Sequence, residues 1–243
     1  MKSAVDLDDV GTWPPDVRRL AEHWGAMLDG TTRFACDLAL PDTVQESFMA
    51  LIGDGPLRAY HSARLLDEEA QAIRRRGLIP LSEDLVTSRV RAACASGHLM
   101  AAERDALLSD SAFASGSTTG RPGQVCAVAG RCIFDDEPEA VELLLRLWGG
   151  EAIYRAHEST VLGERLRSLG KPSIVVVNLR LAACSRFPFS APSIAKLFVG
   201  RLLHLPETYG DVHYYGPVTP RNIVDIWQPG HHEYDRHHHL PHN

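Results

Sequence analysis

Apolar positions recur along this chain at two spacings, and the switch between them predicts a mixed α+β protein. Helical spacing appears first after Pro14-Pro15, where Val17, Leu20, Ala21, Trp24 and Leu28 form one stripe that Gly30 closes. A second helix is predicted over 42–52, with Val44, Phe48 and Leu51 inward, before Gly53-Asp54-Gly55-Pro56 breaks the chain. From Leu57 the pattern becomes a short strand carrying His61. A helix then begins at Asp67 as N-cap, with Glu68 and Glu69 in its first turn and Arg74 to Arg76 in its last, both favourable for the helix dipole. Gly77 ends it, and Ser82 caps a further helix with Val86, Val90, Ala93 and Cys94 inward.

The second half alternates in the same way. A short helix near 100–108 leads into 109–123, a Ser-, Gly- and Thr-rich stretch predicted to be a flexible surface loop. Residues 124–129 read as a strand. Val141, Leu144, Leu145 and Trp148 mark a helix behind Pro138, stopped by Gly149-Gly150. A strand over 151–154 and a helix over 160–169 follow. The β-branched run 173–181 predicts a central strand. A helix over 191–203 precedes 211–226, which reads as two short strands joined through a Pro-containing turn. Regular β-α-β alternation and a nucleotide-binding Gly fingerprint are both missing from the pattern, which favours α+β over a doubly wound fold.

Composition narrows the class. The 243 residues suit one large domain with an extension. We divide them into a helical N-terminal extension over 1–55, opening on a mobile leader over 1–13, a main domain over 56–228, and a His-rich flexible tail over 229–243. A net charge of −6 argues against broad nonspecific nucleic-acid binding. No apolar run approaches a membrane span, and the acidic start (Asp6, Asp8, Asp9) lacks the features of a secretory signal. The five cysteines (Cys36, Cys94, Cys126, Cys132 and Cys184) are dispersed, as expected of reduced, packed thiols in a cytoplasmic protein.

The most specific local feature is Tyr60-His61 on a strand, followed by a short helix with Ile73 and the exit Gly77-Leu78. It resembles the first motif of the ADP-ribosyltransferases, and the run from Val212 through Pro220 to Ile223 resembles that family's closing strand and turn. The resemblance covers roughly 57–228. It implies a split mixed/antiparallel sheet core, NAD as substrate, and a protein or nucleic-acid acceptor. His61 would then bond a ribose hydroxyl, beside Tyr60 and the Ser62 backbone at the nicotinamide amide. Two departures stand out: the family commonly has His-Gly-Thr where this chain has His61-Ser62-Ala63, and Asp211 stands where a Glu is expected.

The implied chemistry needs a carboxylate beside an oxocarbenium-like ribose. Glu151 follows Gly149-Gly150, where small residues permit close ligand approach, and Asp211 heads the closing strand. Family position favours Asp211, whereas residue type and the Gly-Gly setting favour Glu151, which we take first. Arg64 and Arg131 are the basic residues nearest the proposed strand and loop, suited to a pyrophosphate. A toxin or conflict-system effector restrained by an antitoxin or immunity partner fits this reading. The competing expectation is a noncatalytic interaction module on the same fold. Arg74 to Arg76 with Arg89 and Arg91 make a local basic face that could hold a nucleic-acid or acidic protein target, although a solvated helix end is the favoured explanation. The six histidines from His231 to His242 raise a metal-dependent hydrolase as a third reading, but their spacing matches no folded metal motif. No Gly-x-Ser-x-Gly elbow occurs.

Overall fold

A computed structural model describes residues 3–28, 30–52, 55–117, 121–183 and 193–242. Its first half runs α1 (Pro15–Ala26), α2 (Asp42–Ile52), β1 (Pro56–Leu65), α3 (Asp67–Arg76), α4 (Glu83–Ala95), α5 (Ala101–Ser109) and β2 (Val125–Ala129). The second half runs α6 (Ile133–Asp136), α7 (Glu139–Arg146), α8 (Glu151–Tyr154), α9 (Val161–Ser168) and β3 (Lys171–Arg180), then α10 (Ile194–Leu202), β4 (Gly210–Tyr214), β5 (Ile223–Trp227) and α11 (His232–Asp235). The fold is therefore α+β. The strands form a five-stranded sheet in the order β4-β2-β1-β3-β5, and β1 pairs antiparallel with β2, Tyr60 opposite Val128. The closing run forms the two short strands its pattern predicts, joined through a segment that contains Pro217 and Pro220, and β4 and β5 take opposite edges of the sheet. The Gly53-Asp54 break, residues 118–120 of the long loop, Cys184 and the start of the helix predicted over 191–203 lie outside the described residues.

The chain divides into two compact units. The first holds residues 1–61, 126–138 and 176–215. Here α1, α2 and α10 pack on one another around Phe198, whose ring meets Trp13 edge-on at 4.7 Å and stacks on Phe48 at 5.6 Å. The helical stretch over 1–55 thus shares a core with residues far along the chain. The leader over 1–13 is not loose where it is described. Val5 bridges Leu57 in parallel, and Val5, Leu7 and Trp13 are buried. The Trp13 indole donates to Asp6 O at 2.8 Å. Scattered apolar residues without a period hide this packing from a sequence reading, because each is buried by a distant partner.

The second unit holds residues 62–125, 139–175 and 216–243. Its core gathers Leu66 with Val86, Val90, Leu107, Trp148, Ile153 and Leu166. The predicted Ser82 cap is present, with Oγ accepting from Leu85 N at 3.1 Å. Part of the stretch over 109–123 also packs: Ser111 is buried, Ala112 N donates to Ala152 O at 2.8 Å, and Ala112 and Phe113 lie against the core. Residues 151–154 form a helical turn in place of the predicted strand, since the amides of Ile153 and Tyr154 both reach Gly150 O, at 2.9 and 3.0 Å. Four apolar-rich residues satisfy either period, and the Gly150 carbonyl decides between them. In place of a flexible tail, Tyr234, His237 and Leu240 are buried, and the Tyr234 hydroxyl donates to Pro241 O at 2.6 Å. No helix among the described residues is long and apolar enough to cross a membrane.

Candidate functional site

Strand β1 presents the motif residues in alternation. Tyr60 is 2% exposed and meets Phe134 edge-on at 5.9 Å, while Ser62 is also buried. Burial pushes the Tyr60 phenol well above its ordinary range, and the nearby Asp6 and Asp8 carboxylates push it further. His61 points the other way and is half-buried. Its Nδ1 lies 2.7 Å from Cys126 O. A carbonyl only accepts, so this contact makes Nδ1 the donor and gives the neutral ring its acceptor at Nε2.

β1 runs directly into α3. Leu66, rather than Asp67, is the N-cap, and its amide donates to Glu69 Oε2 at 2.9 Å. At the far end Gly77 takes φ 84°, and a Cβ there would lie 1.8 Å from Val218 O. Only glycine permits the antiparallel bridge by which Leu78 and Val218 exchange hydrogen bonds of 2.9 Å in both directions. The strand, helix and Gly-Leu exit seen in the sequence are all present in the fold.

The two candidate carboxylates differ in setting. Glu151 opens α8 in the second unit and pairs with Arg121 through one oxygen and with Arg155 through the other, at 3.3 Å for the latter. Asp211 is exposed on edge strand β4, and it belongs to the first unit together with the half-buried His61 on β1. β2 lies between β4 and β1, which puts the two strands about 10 Å apart across the sheet.

The two arginines chosen for a pyrophosphate are both engaged. Arg64 is only 5% exposed, and its Nε and Nη1 donate to the carbonyls of Leu169 and Leu145, at 2.6 and 3.3 Å. Burial lowers its pKa, although Tyr234 acts in the opposite sense. Arg131 sits beside the Asp8 carboxylate, Nε at 3.5 Å, with its backbone amide donating to Asp8 Oδ2 at 2.8 Å. Arg201 approaches Asp8 from the other side at 3.7 Å. Burial raises the Asp8 carboxyl, against the lowering effect of the Arg131 amide and the two guanidiniums.

The basic face is smaller than the sequence implies. Arg74 to Arg76 and Arg91 are exposed, and Arg74 reaches Asp225 at 3.7 Å. Arg89 turns inward, donating to Glu69 Oε1 at 2.8 Å and to Gly149 O at 3.4 Å, with its guanidinium 5.3 Å over the Trp148 ring. The Trp148 indole donates to Glu69 Oε2 at 2.8 Å. Burial pushes the Glu69 carboxyl up, but the Arg89 charge and the bonds from Arg89, Leu66 and Trp148 outweigh it and hold the group below its usual value. A sequence reading assigns Glu69 to the helix dipole and misses this network, because nothing local links positions 69, 89 and 148.

His157 was likewise invisible. It is buried, and its Nε2 has no hydrogen-bond partner among the described residues, with Asp110 Oδ2 4.0 Å away. Among the described residues no group of three or more His, Cys, Asp or Glu side chains converges as metal ligands. Comparison with protein-family models, with curated proteins and with solved structures yields no match.

Proposed function

We propose that this chain is an NAD-dependent transferase that moves ADP-ribose to a macromolecular acceptor. The observation that carries the reading is the β1–α3 unit: Tyr60-His61 on a strand, a short helix, and a Gly77-Leu78 exit that only glycine satisfies. Support also comes from the His61 ring, whose orientation and tautomer are fixed by the Cys126 carbonyl. In this reading Nε2 accepts from a ribose hydroxyl of NAD. The bond between ribose C1′ and nicotinamide breaks with its electron pair going to the departing nicotinamide. An acceptor nucleophile then attacks C1′ and loses its proton.

Positive charge builds on the ribose during bond breaking, and a fixed carboxylate lowers the barrier by stabilising it. Glu151 is the first choice because Arg121 and Arg155 hold it in place. Asp211 is the second, on the strength of its position on a strand of the same unit as His61. Ion pairing by two arginines also favours a second reading, a noncatalytic module in which Glu151 is structural.

Nicotinamide release from NAD by the purified chain tests the proposal. We expect turnover that falls by at least roughly a hundredfold in His61→Ala and in Glu151→Gln, the scale of one lost transition-state contact, with Asp211→Asn close to the parent. Loss in Asp211→Asn alone would move the role to that residue. An inactive parent chain that also shows no NAD-dependent thermal shift would leave the module reading in its place.

A further inference from the structure

The second unit contains a basic cavity that the NAD reading does not use. It measures about 310 Å³ and is lined by Arg146, Arg167, Pro241 and His242, a size at the lower end of the roughly 300–1,000 Å³ typical of small-ligand clefts. Arg146 is the last residue of α7, and Arg167 lies in the last turn of α9. The third wall is the C-terminal segment, fastened by the Tyr234 hydroxyl to Pro241 O at 2.6 Å.

Two helix C-termini beside one cavity would ordinarily repel an anion, each carrying roughly half a negative charge. Here Arg64 removes that obstacle. Its buried guanidinium donates to Leu145 O in the last turn of α7 and to Leu169 O just beyond α9. One full positive charge therefore sits on the two carbonyl ends, and no carboxylate pairs with it among the described residues. The sign of the cavity is left to its rim. Arg146 shares Glu142 at 2.8 Å, and His242 lies 3.9 Å from Asp235. Among the described residues Arg167 is held by the backbone carbonyl of Glu158 alone, at 2.8 Å. Every side chain lining the cavity that can carry charge is thus basic, and the two acids nearby are already on the rim cations.

We propose that this cavity binds the phosphate group of a small soluble anion, inorganic phosphate or a phosphate monoester. Two arginines from different helices line the same cavity, and guanidiniums match a tetrahedral oxyanion through paired N–H donors, which a single exposed lysine would not do. A dianion gains more than a monoanion from displacing Glu142 and Asp235 at the rim, so chloride is a poor substitute. The site stands apart from the NAD reading and does not depend on it.

Calorimetric titration of the full chain with inorganic phosphate, and separately with glycerol 3-phosphate, tests the site at fixed ionic strength. We expect saturable one-site binding of at least one of the two, the tighter naming the source, and none of glycerol or chloride. Arg146→Gln and Arg167→Gln should each weaken binding by roughly tenfold or more, the scale of one charged hydrogen bond. Both side chains are exposed, so the variants should fold, which circular dichroism checks. Arg75→Gln, on exposed α3, should bind within about twofold of the parent, since a screened surface charge contributes little. Absence of saturable binding by either phosphate compound overturns the proposal. So does an equal loss in Arg75→Gln, which would mark the binding as diffuse attraction to surface arginines.

Discussion

At the scale of single residues, charged side chains that face inward set the strongest constraints. Arg64 reaches from β1 to the carbonyls of Leu145 and Leu169, so one guanidinium serves the ends of two helices. Arg64→Met would keep much of the side-chain volume but leave both carbonyls buried without their donor. An unsatisfied buried polar group costs about 1–3 kcal/mol, so we expect a loss of about 3 kcal/mol in urea unfolding followed by circular dichroism. A loss under 1 kcal/mol would mean that water replaces the guanidinium at both carbonyls. Glu69 is the acidic counterpart, holding the start of α3, the Trp148 indole and Arg89 together through two oxygens.

At the scale of elements, the β1–α3–Gly77 unit shows how a short motif is enforced by a distant strand. A Cβ at Gly77 would overlap Val218 O, and the residue's φ of 84° is one that side-chain-bearing residues seldom adopt. Gly97, just beyond α4, has φ 78°, but a Cβ added there would meet nothing within 4 Å. Gly77→Ala should therefore cost well over the roughly 1 kcal/mol expected of Gly97→Ala, which feels the backbone strain alone. Thermal unfolding of the two variants side by side reads the difference; equal losses would show that Val218 yields freely. The same unit marks what was legible in the sequence. Strand β1, helix α3 and the central strand β3 follow from period and punctuation, since Gly77 and the run from Ile174 to Val177 carry local signals. The leader does not, because Leu7 and Trp13 are buried through contacts no local pattern encodes. Arg64 reads as a pyrophosphate ligand and Arg89 as part of a basic face, because the carbonyls and the carboxylate that receive them come from residues 20 or more positions away. For the candidate site, the motif on β1 was legible whereas the ion pairs that hold Glu151 were not: Arg121 and Glu151 are 30 positions apart.

At the scale of the whole molecule, the two units carry buried carboxyls that respond to acid in opposite senses. In the second unit Glu69 is held below the ordinary carboxyl value of 4.5 in the folded chain. Its contribution to stability is fully present above about pH 4.5 and is lost as pH falls through the folded value. In the first unit the Asp8 carboxyl is raised above its ordinary value of 3.8. Between 3.8 and that raised value the folded state binds more protons than the unfolded one, so stability falls as pH rises through the window. Comparing each parent–variant pair in urea at a series of pH values isolates these linkages. The advantage of the parent over Glu69→Gln should be about 2–3 kcal/mol near neutrality, the scale of a charged hydrogen bond in a partly buried pair, and should shrink on acidification below about pH 4.5. Relative to Asp8→Asn, the parent should gain as pH is lowered. Opposite slopes in the two profiles are the signature, because a general acid effect on net charge would tilt both the same way. Parallel slopes would mean that Arg131 and Arg201 outweigh burial at Asp8 and that both carboxyls are stabilised as anions. The outcome bears on the leader as well, since Asp8 is the residue that ties this segment to Arg131 and Arg201, and a proton on Asp8 would weaken that attachment even as it relieves the cost of burying the charge.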